Sequence, residues 1–158
     1  MEVRMTTQEQ ERIRLHHKSL VEHFVRLSWN SGKYNLLKQL ATSDFVCHQN
    51  NLDGFFDIDT FIDYVKEIRT AVPDLTITIE ELVAEGNKAF SMATFSGTFE
   101  KAALGREPNN CVLSFNCMTV WEFRRGKVLS QNTMVDLAAL RSQVNQPADF
   151  KLKANTMG

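Results

Sequence analysis

An aspartate between a predicted strand and a predicted helix is the residue of this sequence best placed for acid–base chemistry. Asp136 follows the apolar pair Met134 and Val135 and precedes the helical pattern of Leu137–Val144. A carboxyl group held among apolar neighbours can act as a general base toward a bound substrate. Aspartate is also a preferred N-cap residue, and a cap hydrogen bond would oppose the catalytic role. The residues alone leave both interpretations open.

Two polar residues on predicted strands could assist such a base. His48 lies in the predicted strand Phe45–Gln49, and a histidine suits proton donation or an oxyanion contact near neutral pH. It shares a side of that strand with Val46, and either side could face inward. Asn132 shares a side with Met134. Facing inward, Asn132 could hydrogen-bond a substrate carbonyl, and facing outward it would be a solvated polar residue.

Large aromatic residues recur near these candidates. Trp121 and Phe123 share one side of the predicted strand Cys111–Phe123, while Phe24 and Trp29 fall at the end of the first predicted helix. Aromatic residues in such positions are most often core, but the wall of an apolar pocket is built in the same way. A pocket role and a core role are therefore compatible.

The elements that must position these residues are helices first and strands afterwards. Apolar residues at three-and-four spacing predict a first helix from a capping box of Thr6 and Glu9 to about Trp29. A second helix is predicted at 34–41, and a third is predicted to start at Asp57 or Asp59 and to end before Pro73. A final helix is predicted at 137–144, and the predicted strands are 45–49, 75–85, 89–99, 111–123 and 128–135. This order is typical of an α+β fold, in which a curled sheet and its helices enclose a cavity.

Composition excludes several classes of protein. The 158 residues predict a single domain, 1–158, with a core at about 8–145 and a loose C-terminal tail, LKANTMG. The net charge is −1 and Lys and Arg are not clustered, which argues against nucleic-acid binding, and no apolar run reaches the ~20 residues of a membrane span. No metal-ligand spacing is present. Three cysteines without CxxC spacing and an N-terminus unlike a secretory signal favour a reduced, cytoplasmic protein.

Four segments carry a family resemblance. They are DFVCHQ from Asp44, IRTAVPDLTITIEELVAEGNK from Ile68, FRRGKV from Phe123 and DLAALRSQ from Asp136. In this order and spacing they resemble the SnoaL-like polyketide cyclase family of the NTF2-like superfamily. The resemblance implies an NTF2-like cone, in which a curved, mostly antiparallel sheet is wrapped by N-terminal helices around an apolar pocket, and it implies no cofactor.

The resemblance also implies residue roles. Characteristic members close a polyketide ring by intramolecular aldol condensation with an aspartate as acid and base, and Asp136 ahead of Leu140 and Gln143 matches that residue. His48 matches a histidine common in the family's first strand. The sequence departs from the family at Asn132, where a Trp is usual, and at Ser130, where a Glu is usual.

We therefore predict a cofactor-independent cyclase of natural-product biosynthesis that acts on a hydrophobic carbonyl substrate. The predicted catalytic residues are Asp136 and His48, and the predicted substrate-binding residues are Asn132, Trp121, Phe123, Phe24, Trp29 and Met134. The alternatives are an isomerase or dehydratase of a polyketide, terpenoid or meroterpenoid, and a non-catalytic small-molecule-binding module. A homodimer through the open face of the sheet is also expected, because a single-layer sheet leaves apolar surface uncovered.

Overall fold

The computed structural model describes residues 4–147, so the predicted loose tail at 152–158 lies outside the described residues. Helices and strands follow one another in the order that the sequence predicts. The helices are α1 (Thr7–Val25), α2 (Tyr34–Leu40), α3 (Ile58–Ala71) and α4 (Leu137–Val144). The strands are β1 (Ala41–Gln49), β2 (Thr76–Glu85), β3 (Lys88–Thr98), β4 (Val112–Arg124) and β5 (Lys127–Val135).

Local signals set the helix ends. The predicted capping box opens α1, since Glu9 N–H donates to the Thr6 hydroxyl and Thr6 N–H donates to the Glu9 carboxylate. The helix continues into a π-helical turn at Arg26–Asn30. Asp57, one of the two predicted caps, opens α3 by accepting a hydrogen bond from Thr60 N–H at 2.8 Å. Within residues 4–147, no helix is both long and apolar enough to cross a membrane.

The five strands form one mixed sheet in the order β1-β5-β4-β3-β2. β1 runs parallel to β5, and the other neighbouring pairs are antiparallel, so the prediction of a mostly antiparallel sheet is confirmed. The register shifts between Ile79 and Glu81 and between Glu122 and Phe123, and such irregularities increase the local twist of a sheet. The curved sheet has its concave face toward the helices.

The core lies between the concave face of the sheet and the helices. Its closed end is a cluster of aromatic rings in which Phe24 contacts Phe45, Phe61 and Trp121, with ring centroids 5.4–5.7 Å apart. At the other end, β3 passes close to the end of α3, where a Cβ on Gly97 would lie 2.3 Å from Val72 Cγ1. Glycine permits this close approach, which draws the sheet onto the helix.

The convex face of the sheet keeps an apolar strip exposed. Successive side chains of a strand point to opposite faces, so the strands that bury one set of residues expose the other. Phe90, Met118, Val120 and Met134 are exposed, and cross-strand register places them side by side on β3, β4 and β5. We call these four residues the convex strip.

Candidate functional site

A cavity of about 450 Å³ lies between the concave face of the sheet and the helices. This volume is within the range of small-molecule sites, roughly 300–1,000 Å³. Its walls are largely apolar and come from α1, the π-helical turn, α3, α4 and the sheet. The larger apolar residues among them include Trp29, Ile68, Phe95, Phe115, Trp121 and Leu140. The cavity can therefore hold a hydrophobic organic molecule.

A row of neutral polar side chains crosses the floor of this cavity. Cross-strand register aligns Gln49 with Thr133, Thr133 with Thr119, and Thr119 with Ser91, over four neighbouring strands. All four residues are buried and line the cavity, and we call them the polar row. The hydroxyl oxygens of Thr119 and Thr133 lie 2.8 Å apart, and Trp121 Nε1 donates to Ser91 Oγ at 2.9 Å. The polar row offers hydrogen bonds to a ligand without offering charge.

Further polar groups lie around the row. Gln131, on the same face of β5 as Thr133, is buried, and its Oε1 accepts no hydrogen bond from the described residues. Asn51 Nδ2 donates a long hydrogen bond, 3.5 Å, to the Tyr64 hydroxyl, and its Oδ1 is likewise enclosed and unpartnered among residues 4–147. Burial raises the pKa of Tyr64 to about 12. The phenol therefore keeps its proton at neutral pH and can donate it in a hydrogen bond.

Two cysteines, Cys47 and Cys117, remain protonated thiols at neutral pH and are therefore poor nucleophiles. Burial raises the pKa of Cys47 to about 12 and that of the cavity-lining Cys117 to about 11. Both are unpaired, as is the buried Cys111. Enclosed in this way, the three cysteines pack as small apolar residues. No group of three or more His, Cys, Asp or Glu side chains in the described part of the chain is arranged to hold a metal ion.

The cavity reaches solvent beside α4. Among the described lining residues, Leu104, Arg106 and Arg141 are exposed, and they lie on the loop before β4 and on α4. α4 turns one face to the cavity through Leu137, Leu140, Arg141 and Val144, the spacing of neighbours on a helix.

Two amide side chains hold α4 over the cavity. Gln143 pairs with the backbone of Ser114, accepting at 2.6 Å and donating at 2.7 Å. Asn109 Nδ2 donates to the carbonyls of Gln143 and Gln146 at 2.9 and 3.0 Å. These contacts fix the helix that borders the opening.

Asp136 lies at the rim of the cavity and caps α4. Its Oδ1 accepts a hydrogen bond from Ala139 N–H at 3.1 Å, so the cap interpretation is confirmed. The side chain is exposed and does not line the cavity, although its neighbours Val135 and Leu137 do. The predicted catalytic role is not visible in this geometry and stays a prediction.

His48 and Asn132 lie together on the convex face, away from the cavity. They are partners in the register of β1 and β5, and His48 Nδ1 lies 3.2 Å from Asn132 Oδ1. The alternation of the strands puts Gln49 and Thr133 inside, so their neighbours face outward. The geometry therefore corrects the expectation that His48 and Asn132 contact a substrate in the cavity. His48 instead packs near Phe55, with ring centroids 5.3 Å apart.

The predicted aromatic residues divide into two groups. Trp29 and Trp121 line the cavity, and their predicted contact with a substrate stays a prediction. Phe24 and Phe123 do not, because Phe24 is enclosed in the aromatic cluster and Phe123 stacks on His17 at 4.1 Å. Met134 is 64% exposed on the convex strip, so it is not a wall of the cavity either.

Sequence reasoning missed the polar row and the two arginines. A usable signal existed on β5, since Gln131 and Thr133 share a side with the apolar Val135 and not with Met134. The four residues of the row come from four strands, so no spacing along the chain connects them. The arginines gave no pattern that distinguishes them from other surface cations.

Comparisons with known proteins agree with this architecture. One similar solved structure is that of a protein from Jannaschia sp. CCS1 that is described as a SnoaL-like polyketide cyclase. It is 17% identical to this chain, and the two superpose with a TM-score of 0.78 over 93% of this chain and 99% of the other. TsrD from Streptomyces laurentii is 24% identical, with a TM-score of 0.73 over 84% of this chain and 96% of TsrD. A protein of ketosteroid isomerase-like fold from Catenulispora acidiphila, solved with trimethylamine, is 15% identical, with a TM-score of 0.68 over 83% and 95%. No curated protein matches the sequence significantly.

The solved structures show the fold alone at these identities, and the predicted NTF2-like α+β cone is confirmed. The sequence evidence goes further. The family model for SnoaL-like polyketide cyclases matches residues 19–144, which include the C-terminal end of α1, the helices α2 and α3, the whole sheet and α4. The match thus contains every described residue that lines the cavity, and the chain belongs to the SnoaL-like polyketide cyclase family.

Proposed function

We propose that this protein is an enzyme of natural-product biosynthesis that closes a ring within a hydrophobic, carbonyl-bearing substrate. The observation that supports the proposal is the polar row on the floor of an otherwise apolar cavity. The apolar walls would hold a folded carbon skeleton, and the neutral row would bind its carbonyl oxygens. Membership of a polyketide cyclase family supports the reaction class.

In this proposal the cavity stabilises an enolate. Removal of a proton next to a ketone places negative charge on the carbonyl oxygen, and fixed hydrogen-bond donors in a water-poor site stabilise that charge. The hydroxyls of Thr119 and Tyr64 and the amide of Gln131 are donors of this kind. The enolate carbon then attacks a second carbonyl of the same molecule. Holding both groups in one cavity lowers the entropy cost of this attack.

Asp136 is the proposed base. Its backbone lies between two cavity-lining residues, Val135 and Leu137, so a rotation about χ1 is the movement that would bring the carboxylate toward the opening. The cap hydrogen bond uses Oδ1. The proposal therefore requires the cap to open, or Oδ2 to act while Oδ1 remains bound.

Asp136→Asn tests the base and spares the cap. Asparagine caps a helix about as well as aspartate but cannot accept a proton from carbon. We expect a loss of about 10²–10⁴-fold in turnover with an unchanged melting temperature. Suitable substrates are aryl-substituted 1,5-diketones, which cyclise and lose water to give cyclohexenones that absorb in the ultraviolet. A matched control is Asp57→Asn, which makes the same change at the cap of α3. An unchanged rate in Asp136→Asn removes Asp136 from the mechanism.

A non-catalytic binding function is the second candidate. It is favoured by the composition of the cavity wall, because the described residues that line the cavity include no Asp, Glu or His that could act as a base. If the wild-type protein binds the diketones without converting them, the cavity is a carrier or sensor site. Calorimetry and product analysis on one sample separate the two functions.

The convex strip supports a further proposal, that two copies of the chain pair through their sheets. Phe90, Met118, Val120 and Met134 form adjacent apolar surface on three strands, and such patches mark association sites on soluble proteins. The cavity opens on the other side of the sheet. Pairing through the strip would therefore leave the opening accessible.

A further inference from the structure

Arg106 and Arg141 are the charged residues among the described residues that line the cavity. Both are exposed where the cavity meets solvent. Arg106 Nη1 donates a hydrogen bond of 2.9 Å to Asn145 Oδ1, and the amide of Asn145 is an uncharged partner. Neither arginine forms a salt bridge with a carboxylate in the described part of the chain. The opening of an uncharged cavity thus carries two positive charges without an ionic partner.

Two carboxylates contact the segments that carry the arginines, but through backbone N–H groups. Glu67 accepts a hydrogen bond from Leu104 N–H at 3.0 Å, on the loop that carries Arg106. Asp136 accepts one from Ala139 N–H, at the start of the helix that carries Arg141. Neither contact involves a guanidinium group, and Glu107, next to Arg106 in the sequence, forms no salt bridge with either arginine in the described part of the chain. The two guanidinium groups therefore remain available to a ligand.

We propose that the substrate carries an anionic group, a carboxylate in the simplest case, that binds at Arg106 and Arg141. This inference rests on the proposed function and extends it, because it makes the substrate a hydrophobic keto acid. The ketone would lie on the polar row, the carbon skeleton against the apolar walls, and the carboxylate at the opening. A guanidinium group binds a carboxylate through two parallel hydrogen bonds, which a neutral ester cannot reproduce.

A matched pair of ligands tests the charge alone. Anthraquinone-2-carboxylic acid and its methyl ester share one rigid, carbonyl-bearing skeleton and differ in charge at one end. The binding of each is measured by titration calorimetry. Quenching of tryptophan fluorescence reports on the same site, because both tryptophans of the sequence line the cavity. We expect the acid to bind about tenfold more tightly than the ester, and this preference to shrink as salt is added.

Variants locate the preference. The double variant that combines Arg106→Gln and Arg141→Gln should lose the preference for the acid and keep its affinity for the ester. Arg125→Gln removes the same charge from the β4–β5 turn, which does not line this cavity, and should change neither affinity.

Each outcome decides between the two proposals. Equal binding of acid and ester to the wild-type protein, or a preference that survives in the double variant, overturns the anionic substrate and leaves the cavity as a site for carbonyl compounds. Equal loss of acid and ester in the double variant shows that the arginines maintain the structure of the opening, which also overturns it. Failure of the wild-type protein to bind either compound contradicts the proposed function as well.

Discussion

The hydroxyl oxygens of Thr119 and Thr133 lie 2.8 Å apart across β4 and β5, on the buried floor of the cavity. One hydroxyl donates to the other, and the acceptor keeps a hydrogen to donate elsewhere. The pair is therefore both a cross-link between two strands and a ready donor to a ligand. The same arrangement explains why the floor of an apolar cavity tolerates polar side chains.

The pair should show coupling in stability measurements. Thr133→Val leaves the buried Thr119 hydroxyl without its partner, and we expect a loss of about 1–3 kcal/mol in the free energy of unfolding. Replacing both threonines by valine should cost less than the sum of the two single changes, because no unpaired hydroxyl remains. Urea denaturation measures each value. Thr78→Val, at an exposed position of β2, is the control, and additive losses at 119 and 133 would contradict the coupling.

His17 should make stability depend on pH. Burial lowers the pKa of His17 below its ordinary value of 6.5, neighbouring His16 adds to the lowering, and a hydrogen bond with the backbone of Gly86 acts in the opposite direction. Its Nδ1 has no hydrogen-bond partner among the described residues, and its ring stacks on Phe123 at 4.1 Å. The unfolded chain therefore takes up this proton at a higher pH than the folded protein does. The contribution to stability is complete above pH 6.5 and is lost as the pH falls through the folded pKa.

The measurement is a series of melting temperatures from neutral to mildly acidic pH. His17→Phe should flatten the fall in melting temperature below pH 6.5, because phenylalanine keeps the stack and cannot bind a proton. His23→Gln, at an exposed position of α1, should leave the slope as it is in the wild type. An identical slope in the wild type and in His17→Phe would assign the pH dependence to other groups.

The convex strip should control the oligomeric state. Met118 is 47% exposed and lies between Met92 and Met134 in the register of the sheet, so Met118→Glu places a charge in the centre of the proposed contact. We expect the wild-type protein to be a dimer at micromolar concentration and this variant to be a monomer, as measured by light scattering. Leu15→Glu makes a comparable change at an exposed position of α1 and should remain a dimer. A monomeric wild-type protein would contradict the contact.

The sequence by itself determined the helix boundaries and the family. Thr6 with Glu9, Asp57, Pro73 and Asp136 act within a few residues of their own position, so α1, α3 and α4 begin or end close to the predicted positions. The alternation of side chains along a strand is equally local. On β5 it correctly places Gln131 and Thr133 on one face of the sheet and Asn132 and Met134 on the other. These features need no knowledge of the distant chain.

Only the tertiary structure decided which side of each strand faces the cavity. Alternation sorts the residues of a strand into two sets, but the set that faces inward depends on which face of the sheet the helices cover. On β1, parallel pairing with β5 places Gln49 beside Thr133 inside and His48 beside Asn132 outside. The polar row and the arginine pair arise in the same way, because each joins residues that are far apart in sequence. Contacts of this kind follow from how the sheet curves and packs, and not from the local pattern of the chain.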